Sequence, residues 1–135
     1  MRRLVRVLPS FAVLAAGCGS PNPPLPPASE IESMQALVSK DEARFTVPRE
    51  HWQPIFDALL PATRDRNPSK WQVLGELEVV TRGGERRTVW LYQLGQGPGA
   101  FAVGEDWDRR VYYRGGETAE LREALEAARK ASSGR

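Results

Sequence analysis

Five prolines, Pro21, Pro23, Pro24, Pro26 and Pro27, fall between Gly19 and Ser29. Each fixes its own φ and lacks an amide donor, so this stretch cannot join a helix or a central strand. It divides the chain. Ahead of it lie eighteen residues, and behind it roughly 105, enough for one modest domain and too few for two. The stretch itself is expected to be an extended polyproline-like spacer of about 3.1 Å per residue.

The leading segment has its own pattern. Met1-Arg2-Arg3-Leu4-Val5-Arg6 is a basic opening, and Val7 to Ala16 is an apolar run interrupted by Pro9 and Ser10. The small residues Ala15-Ala16-Gly17 then lead to Cys18. A charged start, a short apolar run and small residues before a cut make a secretory signal. The run is about half of the roughly 20 residues that span a bilayer as a helix.

Ala15-Ala16-Gly17-Cys18 resembles the lipobox of bacterial lipoproteins. That family favours Leu three residues before the cysteine, where this chain has Ala15, with Leu14 one step earlier. The resemblance implies cleavage before Cys18, diacylglycerol on its thiol and acylation of the new amino group. It also implies a place in the cell envelope, held to a membrane by lipid. In Gram-negative relatives, Gly19 rather than Asp after the cysteine implies the outer membrane, facing the periplasm. Ala15 and Gly17 also suit an ordinary cleaved signal, which would leave the protein unanchored. Each buried methylene of an anchor contributes about 0.8 kcal/mol, so two or three acyl chains hold firmly. Cys18 is the sole cysteine. Once lipidated, it leaves no thiol for a disulfide, a metal or redox work. The expected divisions are a signal at 1–17, a lipidated cysteine and tether at 18–29, one domain at 30–131 and a flexible tail at 132–135.

Removing the signal changes the charge. The whole chain carries +2, from 19 basic and 17 acidic residues. Arg2, Arg3 and Arg6 leave with the signal while every acid stays, so the mature charge is −1. The remaining arginines are scattered, and nothing favours nucleic acid as a partner.

Within the domain, Ser29 to Lys40 predicts a short helix, with Ser29 as cap and Ile31, Met34, Leu37 and Val38 at helical spacing. Ala43 to Val47 reads as a strand ending at Pro48. Trp52, Ile55, Phe56, Leu59 and Leu60 predict an amphipathic helix that starts between Glu50 and Gln53 and stops at Pro61. Pro54 is harmless in its first turn. Ala62 to Ser69 reads as a polar loop. Two strands then meet at Arg82-Gly83-Gly84-Glu85, where Gly-Gly suits a tight hairpin. Centring a two-residue turn there opposes Val79 to Thr88, Leu77 to Trp90 and Gly75 to Tyr92. Those residues, with Val73 and Leu94, form the expected core face. Leu74, Glu76, Glu78, Val80, Arg87, Val89, Leu91 and Gln93 form the other face. Ala100 to Val103 and Val111 to Arg114 predict two more strands around Glu105-Asp106-Trp107-Asp108. A last helix, capped by Glu117 or Thr118, carries Leu121, Ala124, Leu125 and Ala128 on one stripe. The order is strand, helix, four strands, helix. Its natural solution is α+β, an antiparallel sheet of about four to five strands with helices on one face.

The chemistry is sparse. His51 is the only histidine, which leaves no cluster of imidazoles for a zinc site and a single candidate base for a nucleophilic triad. It reads as an exposed residue at a helix start. Gly95-Gln96-Gly97-Pro98-Gly99 lacks the Lys-Ser/Thr ending of a phosphate loop. Glu105, Asp106 and Asp108 lack the alternating ligands and distal Glu of a calcium loop. No catalytic residue, metal or cofactor is expected beyond the lipid on Cys18. A membrane-tethered module binding an envelope protein is the first reading, with a small carboxylate enzyme or a ligand carrier or sensor as alternatives. The candidate partner face combines Leu91, Tyr112, Arg87, Arg110 and Arg114, a mixture of aliphatic, aromatic and arginine groups found at interfaces.

Overall fold

Ile31 and Met34 are three residues apart, yet they belong to a strand. The computed structural model describes residues 25–38, 43–66, 71–93 and 97–134. Cys18, most of the tether and Leu94 lie outside the described residues. Ile31–Val38 is the first strand, β1, and the predicted helix at Ser29 to Lys40 is thereby corrected. Its pairing register shifts between Ile31 and Ser33. That bulge adds one residue, so Ile31, Met34 and Ala36 all reach the same buried side. A helical spacing of three is what a two-residue strand period becomes across a bulge.

The remaining elements are β2 (Arg44–Thr46), α1 (Trp52–Asp57), β3 (Ala62–Arg64), β4 (Gln72–Thr81), β5 (Arg86–Gln93), β6 (Pro98–Gly104), β7 (Val111–Glu117) and α2 (Thr118–Ser133). The strands form one sheet in the order β2-β1-β4-β5-β6-β7-β3, and every neighbouring pair is antiparallel. The class is α+β as expected, with seven strands rather than four to five. The extra strands come from β1 and from β3, which lies in the predicted polar loop. At three residues β3 is too short to show alternation, and its pairing to β7 is what defines it.

Both helices pack on one side of the sheet. Trp52, Ile55 and Phe56 of α1 and Leu121, Leu125 and Ala128 of α2 join Met34, Leu77, Val79, Val89, Leu91, Phe101 and Val103 in one core. The indole N–H of Trp52 donates to the Val47 carbonyl at 2.9 Å, which satisfies its one polar atom. Thr118 ties the start of α2 to the sheet, donating to the carbonyls of Gly97 and Pro98. Full burial of a Leu, Phe or Met side chain contributes roughly 1.5–3 kcal/mol, and this core holds many of them. The end of α1 presses on β7 at Gly116, where φ is +71° and a Cβ would lie 1.8 Å from the Ala58 carbonyl oxygen. Only glycine tolerates both conditions.

The β4–β5 hairpin departs from expectation by one residue, with large effect. Thr81 N–H donates to the Glu85 carbonyl and Gly84 N–H to the Thr81 carbonyl. Gly84 alone of the glycine pair has positive φ. The loop is therefore three residues with a left-handed third position, not a two-residue turn with both glycines left-handed. The true register pairs Val79 with Arg87, Leu77 with Val89 and Gly75 with Leu91. A one-residue slip turns every side chain of a strand to the opposite face. Val89 and Leu91 enter the core, and Trp90 and Tyr92 leave it. A second bulge between Val73 and Gly75 returns Leu74 to the core and turns Val73 outward.

Candidate functional site

The chain travels from β2 at one edge of the sheet to β3 at the other by way of α1, on the helix side. It then returns from β3 to β4. Asp65, at the start of that return, accepts from Arg114 Nε at 2.6 Å. Trp71, at its end, packs 5.4 Å from the Tyr92 ring and 5.3 Å from the Tyr112 ring. Arg114, Tyr92 and Tyr112 all point away from the helices by strand alternation, so both ends of the return lie on the other face of the sheet. No helix covers that face among the described residues.

Its centre is a floor of two small side chains. Ala100 and Ala102 of β6 are fully buried there, paired with Tyr92 and Trp90 on β5 and with Arg114 and Tyr112 on β7. Bulky neighbours lean over them. Tyr92 and Tyr112 lie 6.2 Å apart, and Trp71 stands edge-on to Tyr112 and tilted to Tyr92. Towards the β6–β7 loop, Trp90 and Trp107 meet edge to face at 5.8 Å. The Arg110 guanidinium lies 3.2 Å from the Trp107 ring centroid, 5.2 Å from Tyr112 and 5.8 Å from Trp90, and it donates to the Tyr92 hydroxyl at 3.2 Å. Aromatic pairs of this kind contribute about 0.5–1.5 kcal/mol each. Cation–π contacts contribute about 0.5–1 kcal/mol where exposed and more where dry. Burial pushes the Tyr92 phenol above its ordinary pKa, and the Arg110 charge opposes that rise without cancelling it.

Trp107 is placed by its loop. Asp106 caps the short 3-10 turn Trp107–Arg109, its carboxylate accepting from the amides of Asp108 at 3.0 Å and Arg109 at 3.1 Å. This occupies one of the three acids considered for calcium. Among the described residues, no three His, Cys, Asp or Glu side chains converge as a metal site, and no helix is long and apolar enough to cross a membrane. His51 ends the turn that leads into α1 and is half-buried.

Of the predicted partner face, Tyr112 and Arg110 lie in this cluster and Arg114 at its margin, paired with Asp65. Leu91 and Arg87 do not. The three-residue hairpin loop puts them on the helix side, where Leu91 is core at 1% exposure. Arg87 sits beside Glu85 in a cleft of about 440 Å³ that also touches Pro26, Glu30 and Arg82. Trp71, Val73, Trp90, Tyr92 and Trp107 belong to the face and were not expected there. The expected two-residue turn puts Trp90, Tyr92 and Val73 on the core face, and only the loop length distinguishes the two registers of β5. The face holds three of the chain's four tryptophans and two of its three tyrosines.

Comparison with known proteins yields no match: no family model fits the chain, and no curated protein or solved structure is significantly similar.

Proposed function

We propose that the chain is a lipid-anchored module of the bacterial cell envelope that holds a partner protein on the helix-free face of its sheet. One observation carries the choice of surface. Val73 and Trp107, the large apolar side chains left more than half exposed among the described residues, at 59% and 57%, both belong to this face. Trp, Tyr and Arg are the side chains that dominate interface energetics, and here they are gathered around one floor. The anchor rests on the lipobox resemblance at Cys18, and the proline-rich stretch that follows would hold the domain off the membrane.

The test joins anchor and surface. In living cells, the wild type is expected to take up labelled palmitate and to sediment with membranes, and Cys18→Ser to do neither. A photo-crosslinking side chain at position 107 is expected to capture a protein. One at position 123, exposed on α2, is not. An unlabelled wild type overturns the anchor. Equal capture from both positions overturns the surface.

A further inference from the structure

We infer that the domain stands on the membrane by the end of the sheet that carries the β4–β5 hairpin, with the tip of that hairpin against the lipid headgroups. This rests on the anchor at Cys18 and on the open face as the partner surface, and adds the surface that meets the bilayer. The observation behind it is the place where the tether joins the fold. Leu25 packs against the helix-side core, and Leu25, Pro26 and Pro27 line a groove with Gln53, Phe56 and Leu60. Pro26 also lines the cleft that touches Thr81, Arg82 and Gly83 at the hairpin tip. The residues that follow are tied to the same tip. Arg82 donates through its amide to the Glu30 carbonyl, and through Nε to the Ser29 carbonyl at 3.0 Å. The proline-rich stretch thus joins the domain before its prolines end, and only seven residue steps separate Cys18 from Leu25.

Covalent geometry limits that reach. Seven steps span at most about 25 Å, whatever their conformation. Gln72 and Thr81, at the two ends of β4, are about 30 Å apart at the usual rise per residue. Leu25 lies at the Thr81 end, so a domain resting on its Gln72 end would put Leu25 out of reach of a lipid on Cys18. Two side-on poses stay within reach. Laying the helices on the bilayer brings down the groove between α1 and α2, lined by Asp57, Glu120 and Glu123 and by no basic group among the described residues. Anionic headgroups repel that groove. Laying the open face down covers Trp107 and the surface assigned to the partner. The hairpin end remains. In the hairpin Arg82, Arg86 and Arg87 balance Glu30, Glu78 and Glu85, and Gly83 and Gly84 form the tip. It suits a polar headgroup layer and lacks the apolar bulk that enters acyl chains. The β6–β7 loop turns at the same end, since Thr88 pairs with Gly104, and its Glu105, Asp106 and Asp108 outnumber Arg109 and Arg110. Charge therefore does not draw this end to the bilayer; the short tether holds it there. A partner on the open face accordingly meets Trp107 close to the headgroups.

The mature lipoprotein in vesicles of phosphatidylethanolamine and phosphatidylglycerol, with a headgroup spin-labelled lipid, tests this by fluorescence quenching. With Cys18 acylated, a thiol-reactive fluorophore labels only the cysteine of Glu85→Cys or Gln72→Cys, both exposed positions. The label at position 85 is expected to be quenched at least threefold more than the label at position 72. Inserting a flexible Gly-Ser segment of about twenty residues after Gly19 is expected to abolish that contrast. Equal quenching with the native tether, stronger quenching at position 72, or a contrast that survives the insertion overturns the inference. Mass spectrometry of the same sample reads the acyl chains. An acylated protein with equal quenching keeps the anchor and loses the orientation, and an unacylated protein loses both. Capture at position 107, read separately, decides the open face.

Discussion

The two faces of this sheet are built from different materials. Under the helices, the sheet contributes Met34, Leu77, Val79, Val89 and Leu91, aliphatic groups at 1% exposure or less, with the Phe101–Tyr113 stack beside them. Across the sheet, the large groups are Trp71, Trp90, Tyr92, Trp107 and Tyr112, and of these only Tyr92 is buried. Aliphatic side chains fill volume and gain from it without direction. Aromatic and guanidinium groups gain from specific ring geometry and keep a polar atom available when one side is wet. The first face is organised to be closed, and the second keeps partly open groups in fixed positions.

Truncation on the closed face should have the largest effect. Leu91→Ala removes a core side chain and is expected to cost about 2–5 kcal/mol in denaturant unfolding. Trp71→Ala removes two ring contacts of a half-exposed side chain and is expected to cost about 1–3 kcal/mol, from two pairs at about 0.5–1.5 each. If the two losses are equal, the open face is a second core, and the contrast disappears. Tyr92→Phe should have the smallest effect at neutral pH and show itself only in alkali. Because the folded state raises the phenol pKa, its stabilising contribution is present below the ordinary tyrosine value of about 10 and is lost as pH rises beyond it. Wild-type melting temperature should therefore fall above that pH, and Tyr92→Phe should fall less steeply. Identical slopes would mean that Tyr92 ionises as freely in the fold as out of it.

The elements legible in the sequence were those whose signal is local. The stripe from Trp52 to Leu59 gave α1, and Leu121, Leu125 and Ala128 gave the buried side of α2. Phe101, Val103, Val111 and Tyr113 alternate in the sequence and pair as the inward face of β6 and β7. The same pairing turns Arg110 and Tyr112 to the open face. What failed depended on single-residue insertions. A bulge at Ile31 to Ser33 disguised β1 as a helix, and a third loop residue exchanged the two faces of β5. The bulge turns a spacing of two into three and so mimics a helix, and the extra loop residue shifts the phase of β5 without altering its alternation. The extra loop residue accounts for Trp90 and Tyr92, which a two-residue turn assigns to the core face. Trp107 reads in the sequence only as part of the β6–β7 loop, and no pattern there places Trp71.

The sheet ends, on both sides, in strands of three residues, β2 and β3. An exposed strand edge is a template on which a second chain can hydrogen-bond, and its reach grows with its length. Edges this short offer only a few free backbone groups. Long bare edges invite copies of a chain to zip together into continuous sheets. Here β4 and β5 lie in the interior of the order, with both of their edges already paired.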